Sequence, residues 1–177
     1  MTMILMILFL SLTNCGVKKT KILEQIKIEN LIDSLNYHVI LPENWKPILD
    51  SHKLLSYSPI NLGDIFYKNI IRIYEVRITE NKSTSLKEFV EKDINGWNKA
   101  VSINAYNITS ENTKYGETFI FKYEHDWNFT HYTNTIKYFK LNDNFYRFSY
   151  SSDEKFCEKY LTDADFIFNN LEFKVKE

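Results

Sequence analysis

The chain has 177 residues, and 16% of them are aromatic, with twelve Tyr and thirteen Phe against four Gly and three Pro. Its 22 basic and 23 acidic side chains leave a net charge of −1. That balance excludes a strong field for nucleic acid and an acidic interaction tail, and the aromatic content excludes a disordered chain.

The first feature along the chain is MILMILFLSL, Met3 to Leu12. A bilayer-spanning helix needs ~20 apolar residues, whereas the apolar core of a secretory signal peptide has ~7–15. Thr13, Asn14, Cys15 and Gly16 follow, then Lys18, Lys19 and Lys21. Leu12-Thr13-Asn14-Cys15 resembles the lipobox of bacterial lipoproteins. The resemblance implies cleavage before Cys15, acylation of its thiol and attachment to a membrane of the bacterial cell envelope. It departs from the family at Asn14, where Gly, Ala or Ser is usual, and at Met1-Thr2, which lacks a Lys or Arg. On this reading residues 1–14 are a lipoprotein signal peptide. Residues 15–36 are the lipidated Cys15, a tether and a short helix. The alternative is that Met3 to Leu12 is a buried first strand or helix. That would place an apolar run at a chain end, usually the least ordered part of a domain.

After residue 14 the chain holds every charged side chain, and its length suits one domain burying roughly 70% of its unfolded surface. Lys21 to Leu35 carries a partial helical stripe, Ile22, Leu23, Ile26, Leu31, Ile32 and Leu35, which Ile28 interrupts. Strands are predicted at Tyr37 to Leu41, Leu54 to Tyr57 and Ile70 to Ile78. The last is apolar on both sides, as for a central strand covered on both faces. Ser85-Leu86-Lys87-Glu88 is a capping box, followed at helical spacing by Phe89, Val90, Ile94, Trp97 and Val101. Four strands follow, Ile103 to Thr109, Glu117 to His125, Thr130 to Leu141 and Asn144 to Ser151, with Asn142-Asp143 as a hairpin turn. Ser151-Ser152-Asp153-Glu154 reads as a second capping box before a stripe from Phe156 to Leu171. A short strand, Glu172 to Val175, ends the chain. The pattern is α+β: an antiparallel sheet with helices packed on both faces.

Leu41-Pro42-Glu43-Asn44-Trp45, Tyr57-Ser58-Pro59, Ser85-Leu86-Lys87-Glu88-Phe89, Tyr146-Arg147-Phe148-Ser149-Tyr150-Ser151 and Phe166-Ile167-Phe168-Asn169-Asn170-Leu171-Glu172-Phe173 occur in an order and spacing that resemble the PsbP-like α/β/α sandwich fold. That family includes the extrinsic photosystem II subunit, a Ran-binding import factor and bacterial DcrB-like lipoproteins. The resemblance covers roughly Tyr37 to Phe173 and places the domain at residues 37–175. It implies binding or assembly roles and supplies no catalytic residues. Asn44 stands where the family often has Gly and is read as a left-handed turn position.

His125, Asp126 and His131 are the nearest approach to a metal set. Strand parity argues against it: pairing Tyr123 with Tyr132 sets His125 opposite Thr130 and turns His131 to the other face, beside Glu124. Asp50, Ser51 and His52 have triad side chains but are consecutive, whereas a triad converges in space. Cys157 is either a reactive odd thiol or, more in keeping with its apolar stripe, a small core residue. Trp45 and Trp97 read as packing residues. Trp127 and Phe129 lie in the loop Asp126-Trp127-Asn128-Phe129 and are either packed back on the domain or a partner contact.

No catalytic constellation, cofactor or metal is expected. The sequence therefore suggests a lipid-anchored, non-enzymatic envelope protein with two partners. One is the membrane, through Cys15; the other is an envelope protein met at Trp127 and Phe129. The alternative is a small-ligand-binding or hydrolytic envelope domain with a Tyr/His-lined cleft.

Overall fold

The computed structural model describes residues 20–50, 52–60, 68–77, 85–142 and 144–174. Cys15, the apolar run before it and the tether after it lie outside the described residues, as do Ser51 and Asp143. Helix α1 (residues 20–34) leads into β1 (Tyr37–Val39), β2 (Trp45–Leu49), β3 (Leu55–Pro59) and β4 (Asn69–Arg77). Helix α2 (Leu86–Ala100) follows, then β5 (Ile103–Thr113), β6 (Gly116–Trp127), β7 (Thr130–Leu141) and β8 (Asn144–Asp153). Helix α3 (Glu154–Asn169) and β9 (Leu171–Phe173) complete the domain.

Seven strands form one antiparallel sheet in the order β2-β3-β4-β8-β7-β6-β5, and β1 pairs with β9 in a small second sheet. Side chains alternate across a strand, so each large strand feeds two cores. Phe139, Tyr146, Phe148 and Tyr150 face α3 and pack with its Tyr160, Ala164, Ile167 and Phe168, joined by Tyr37, Trp45 and Tyr57. Ile136, Tyr138, Phe145, Phe121 and Tyr123 face the other way, onto Leu86, Val90 and Ile94 of α2. Each fully buried aromatic side chain contributes on the order of 2–3 kcal/mol through the area removed from water. The result is the α/β/α sandwich that the sequence landmarks imply.

Polar ties fix the helices to the sheet. The Ser85–Glu88 capping box forms in full. Asp93 of α2 accepts from the Tyr138 hydroxyl at 2.8 Å, from Trp97 Nε1 at 3.2 Å and from Arg147 Nη1 at 3.0 Å. The Arg147 guanidinium lies over the rings of Tyr74 and Trp97. On the other face, Trp45 Nε1 donates to Asp163 of α3 at 2.8 Å, and the Tyr115 hydroxyl reaches the Phe168 and Leu171 carbonyls at 2.8 and 2.9 Å. Tyr115 is placed by the tight β5–β6 turn, which ends on Gly116 at φ 87°, a conformation that favours glycine.

Several local expectations change. Strand β2 is not among the predicted strands, and it contains Pro47, a residue that sheets confine largely to their edges. The proline is tolerated because β2 is an edge. Asn44 accepts from Ile60 N and Asp50 N donates to Leu54 O, so the even residues of β2 bond β3 and Pro47 turns its missing donor outward. The second helix cap is Asp153, whose side chain accepts from Lys155 N, and not Ser151. Ser151 is still in β8, paired with both Ile70 and Asn134. Asn44 has no positive φ; its carbonyl bonds Ile60, and its amide reaches Asp163. In α1, Ile28, Leu31 and Ile32 are half-buried, whereas Ile22, Leu23 and Ile26 stand exposed. Ile28 therefore belongs to the inward stripe that it seemed to interrupt. Strand β4 is central as expected, with Ile70 and Ile71 buried, but Val76 near its end is exposed.

Candidate functional site

The β6–β7 hairpin closes between Trp127 and Thr130 on a two-residue turn, Asn128-Phe129. Their φ values are 48° and 62°. Positive φ at both central positions marks a type I′ turn, where Asn then Gly is the preferred pair. Here Phe takes the Gly position, and a left-handed conformation costs a side-chain-bearing residue roughly 1–2 kcal/mol. The Phe129 ring is fully exposed, and Trp127 beside it is 64% exposed.

Two pairs down the hairpin, His125 pairs with Tyr132. Their rings stack at 5.4 Å and 20°, and Asn134 Nδ2 lies 2.9 Å from His125 Nδ1. With that amide nitrogen donating, Nδ1 accepts and Nε2 carries the proton. Burial pushes His125 below its usual pKa, Asp126 opposes the shift and His131 adds to it. The register differs by two residues from the one predicted, because the turn takes two residues and not four. An even shift keeps every side chain on its face. His131 accordingly points away from His125 and meets Asp126 at 2.8 Å and Glu124 at 3.4 Å. Its hydrogen bond to Asp126 raises its pKa, burial opposes this slightly, and Asp126, Glu154 and Glu124 add to the rise. Among the described residues no group of three His, Cys, Asp or Glu side chains could hold a metal ion.

On the α2 side of the sheet, at the end that α2 does not cover, a cleft of about 600 Å³ is bordered by Ile70, Arg72, Ser151, His125, Tyr132, Trp127, Asn128 and His52. Sheet register explains the assembly: Ile70 pairs with Ser151, Ser151 with Asn134, and His125 with Tyr132. Arg72 donates from Nε to Asp50 Oδ2 at 2.7 Å. Asp50 is buried and also accepts from the backbone N–H groups of His52 and Leu54 and from the Ser56 hydroxyl. Burial would raise its pKa, but the Leu54 N–H, Arg72 and the His52 N–H outweigh that and hold it below the ordinary value. Asp50 and His52 thus form a turn closed by an arginine, not a catalytic relay.

The Asp50–Arg72 pair and the Asp93–Arg147 pair escape the sequence reading. A lone Arg inside an apolar strand, as in Ile70-Ile71-Arg72-Ile73 or Tyr146-Arg147-Phe148, was the signal for an acidic partner nearby. Cys157 is half-buried against the α3-side core, and burial raises its thiol pKa against the pull of a Thr133 hydrogen bond. That is a packing environment and not an activating one. Trp45 is buried as expected, and Trp97 is half-buried against the α2-side core. Among the described residues no helix is long and apolar enough to cross a membrane.

No protein-family model matches the sequence, and no curated protein matches it. Solved structures do resemble the fold. Cyanobacterial PsbP from Synechocystis sp. PCC 6803 aligns at a TM-score of 0.49 and 11% identity, over 78% of this chain and 86% of that one. LpqN, described as involved in cell envelope biogenesis of Mycobacterium tuberculosis, aligns at a TM-score of 0.62 and 9% identity, over 78% of this chain and 83% of that one. The chain therefore shares with LpqN a fold in which one antiparallel sheet is flanked by helices.

Proposed function

We propose that this chain is a lipid-anchored cell-envelope protein whose sandwich domain works by binding and not by catalysis. The Cys15 signal supports the anchor, and the fold shared with an envelope-biogenesis protein supports the location. The observation that carries the binding role is the hairpin tip. Phe129 occupies a turn position that favours glycine, and both it and Trp127 stand in solvent. Exposed aromatic pairs of this kind are common anchors of protein contacts.

Two measurements test the reading. Cys15→Ser should move the protein from the membrane to the soluble fraction of its host; retention in the membrane would remove the anchor. A tagged chain crosslinked in its host should capture a protein that Trp127→Ser with Phe129→Ser no longer captures. Equal capture by both would remove the hairpin contact. A second reading, a small-ligand-binding envelope domain, is favoured by the cleft beneath the hairpin, with its Tyr132 and His125 wall.

A further inference from the structure

We propose that the cleft binds a small monocarboxylate with a flat apolar body, its carboxylate on Arg72 and its body against Tyr132 and Trp127. This rests on the ligand-binding reading and names the ligand class and the residues. At about 600 Å³ the cleft falls within the ~300–1,000 Å³ of small-molecule sites.

Its charge is lopsided. Arg72 keeps 22% of its side chain exposed, while the Asp50 carboxylate that holds it keeps 1%. Among the described residues four donors converge on Asp50, so its charge is consumed below the surface. Only Nε of Arg72 is engaged, and among the described residues nothing bonds its two terminal nitrogens. A guanidinium held by one edge presents the other as a planar fork, the geometry that takes a carboxylate through two parallel hydrogen bonds. Among the described residues that border the cleft none is an Asp or Glu.

Among the described residues of the cleft wall Arg72 is the one permanently charged group, which matches a monoanion better than a phosphate dianion. The rest of the wall suits an apolar ring. Tyr132 stacks on His125, Trp127 is exposed beside them, and Ile70 lies on the floor. His125 Nε2, with Nδ1 facing Asn134, is left as a neutral donor.

Calorimetry of the full chain with naphthalene-2-carboxylate and its neutral isostere naphthalene-2-carboxamide is the test. The native chain should bind the carboxylate at least about tenfold more tightly than the amide. Arg72→Gln combined with Asp50→Asn removes both charges and leaves no orphan carboxylate; it should erase the preference with amide affinity unchanged. Arg72→Lys keeps the charge beside Asp50 and loses the fork; it should weaken the carboxylate several-fold and leave the amide alone. Equal affinity for the two probes in the native chain, or a preference that survives both variants, overturns the Arg72 assignment. Failure of the native chain to bind either probe overturns the ligand-binding reading itself.

Discussion

His125 and His131 stand on opposite faces of one hairpin, and their protons respond to pH in opposite senses. The folded pKa of His131 lies above its unfolded value, chiefly through Asp126. Its favourable contribution is fully present below about 6.5 and is lost as pH rises through the folded value. The folded pKa of His125 lies below the unfolded one because burial favours the neutral ring. As pH falls from about 6.5 towards that value, the unfolded chain takes up a proton first and stability is lost. The His131 contribution is small because the pair is exposed to solvent. Asp126→Asn should therefore return His131 towards about 6.5 in an NMR titration and move His125 only slightly further down. An unmoved His131 would show that Asp126 does not hold it. The separation of the two imidazoles was legible from strand parity, since it depends only on an alternation of two. The grip of Asp50 on Arg72 was not, because it joins residues 22 apart through pairing between strands.

Helix α2 illustrates how an element is held by more than its apolar stripe. Leu86, Val90 and Ile94 seat it on the sheet, and Asp93 joins it to Tyr138 and Arg147 from two different strands. Asp93→Ala leaves Arg147 without its carboxylate while its Nε is already buried without a partner. The expected loss is about 2–3 kcal/mol in urea unfolding with an unchanged slope; a loss below about 0.5 kcal/mol would show that the stripe alone holds the helix. The stripe and the first capping box were legible because both are local in sequence. The start of α3 was misread for the converse reason. Ser151 carries the right side chain for a cap, but ladder bonds on both sides keep it in β8, and the chain turns only at Asp153. The C-terminal half of α1 faces the domain through Ile28, Leu31 and Ile32. Two apolar stripes on different faces of one helix cannot be ranked without knowing what covers each.

At the scale of the molecule, layers and order were legible while contacts were not. The alternation of strands, one central helix and one late helix prescribes a sheet covered on both sides, and LpqN has this arrangement at 9% identity. What the pattern does not specify is which end of a face stays uncovered. Helix α2 spans Phe121 to Phe145 and stops short of His125 and Tyr132, and the cleft is the part of the sheet left over.

The two edges of the seven-stranded sheet are not equivalent. On β2, Pro47 removes a donor from the outward row, so another strand pairs poorly there. Strand β5 has no proline in its 11 residues, is exposed along most of its length, and displays Tyr106 and Ile108. Heat-induced clumping of this protein should therefore begin along one border of the sheet and not along the other. Ile108→Lys should slow the growth of light scattering in a concentrated, warmed sample, whereas Lys46→Ala on β2 should leave it unchanged. A fusion or surface attachment that shields β5 would then protect the stored protein better than one placed beside β2.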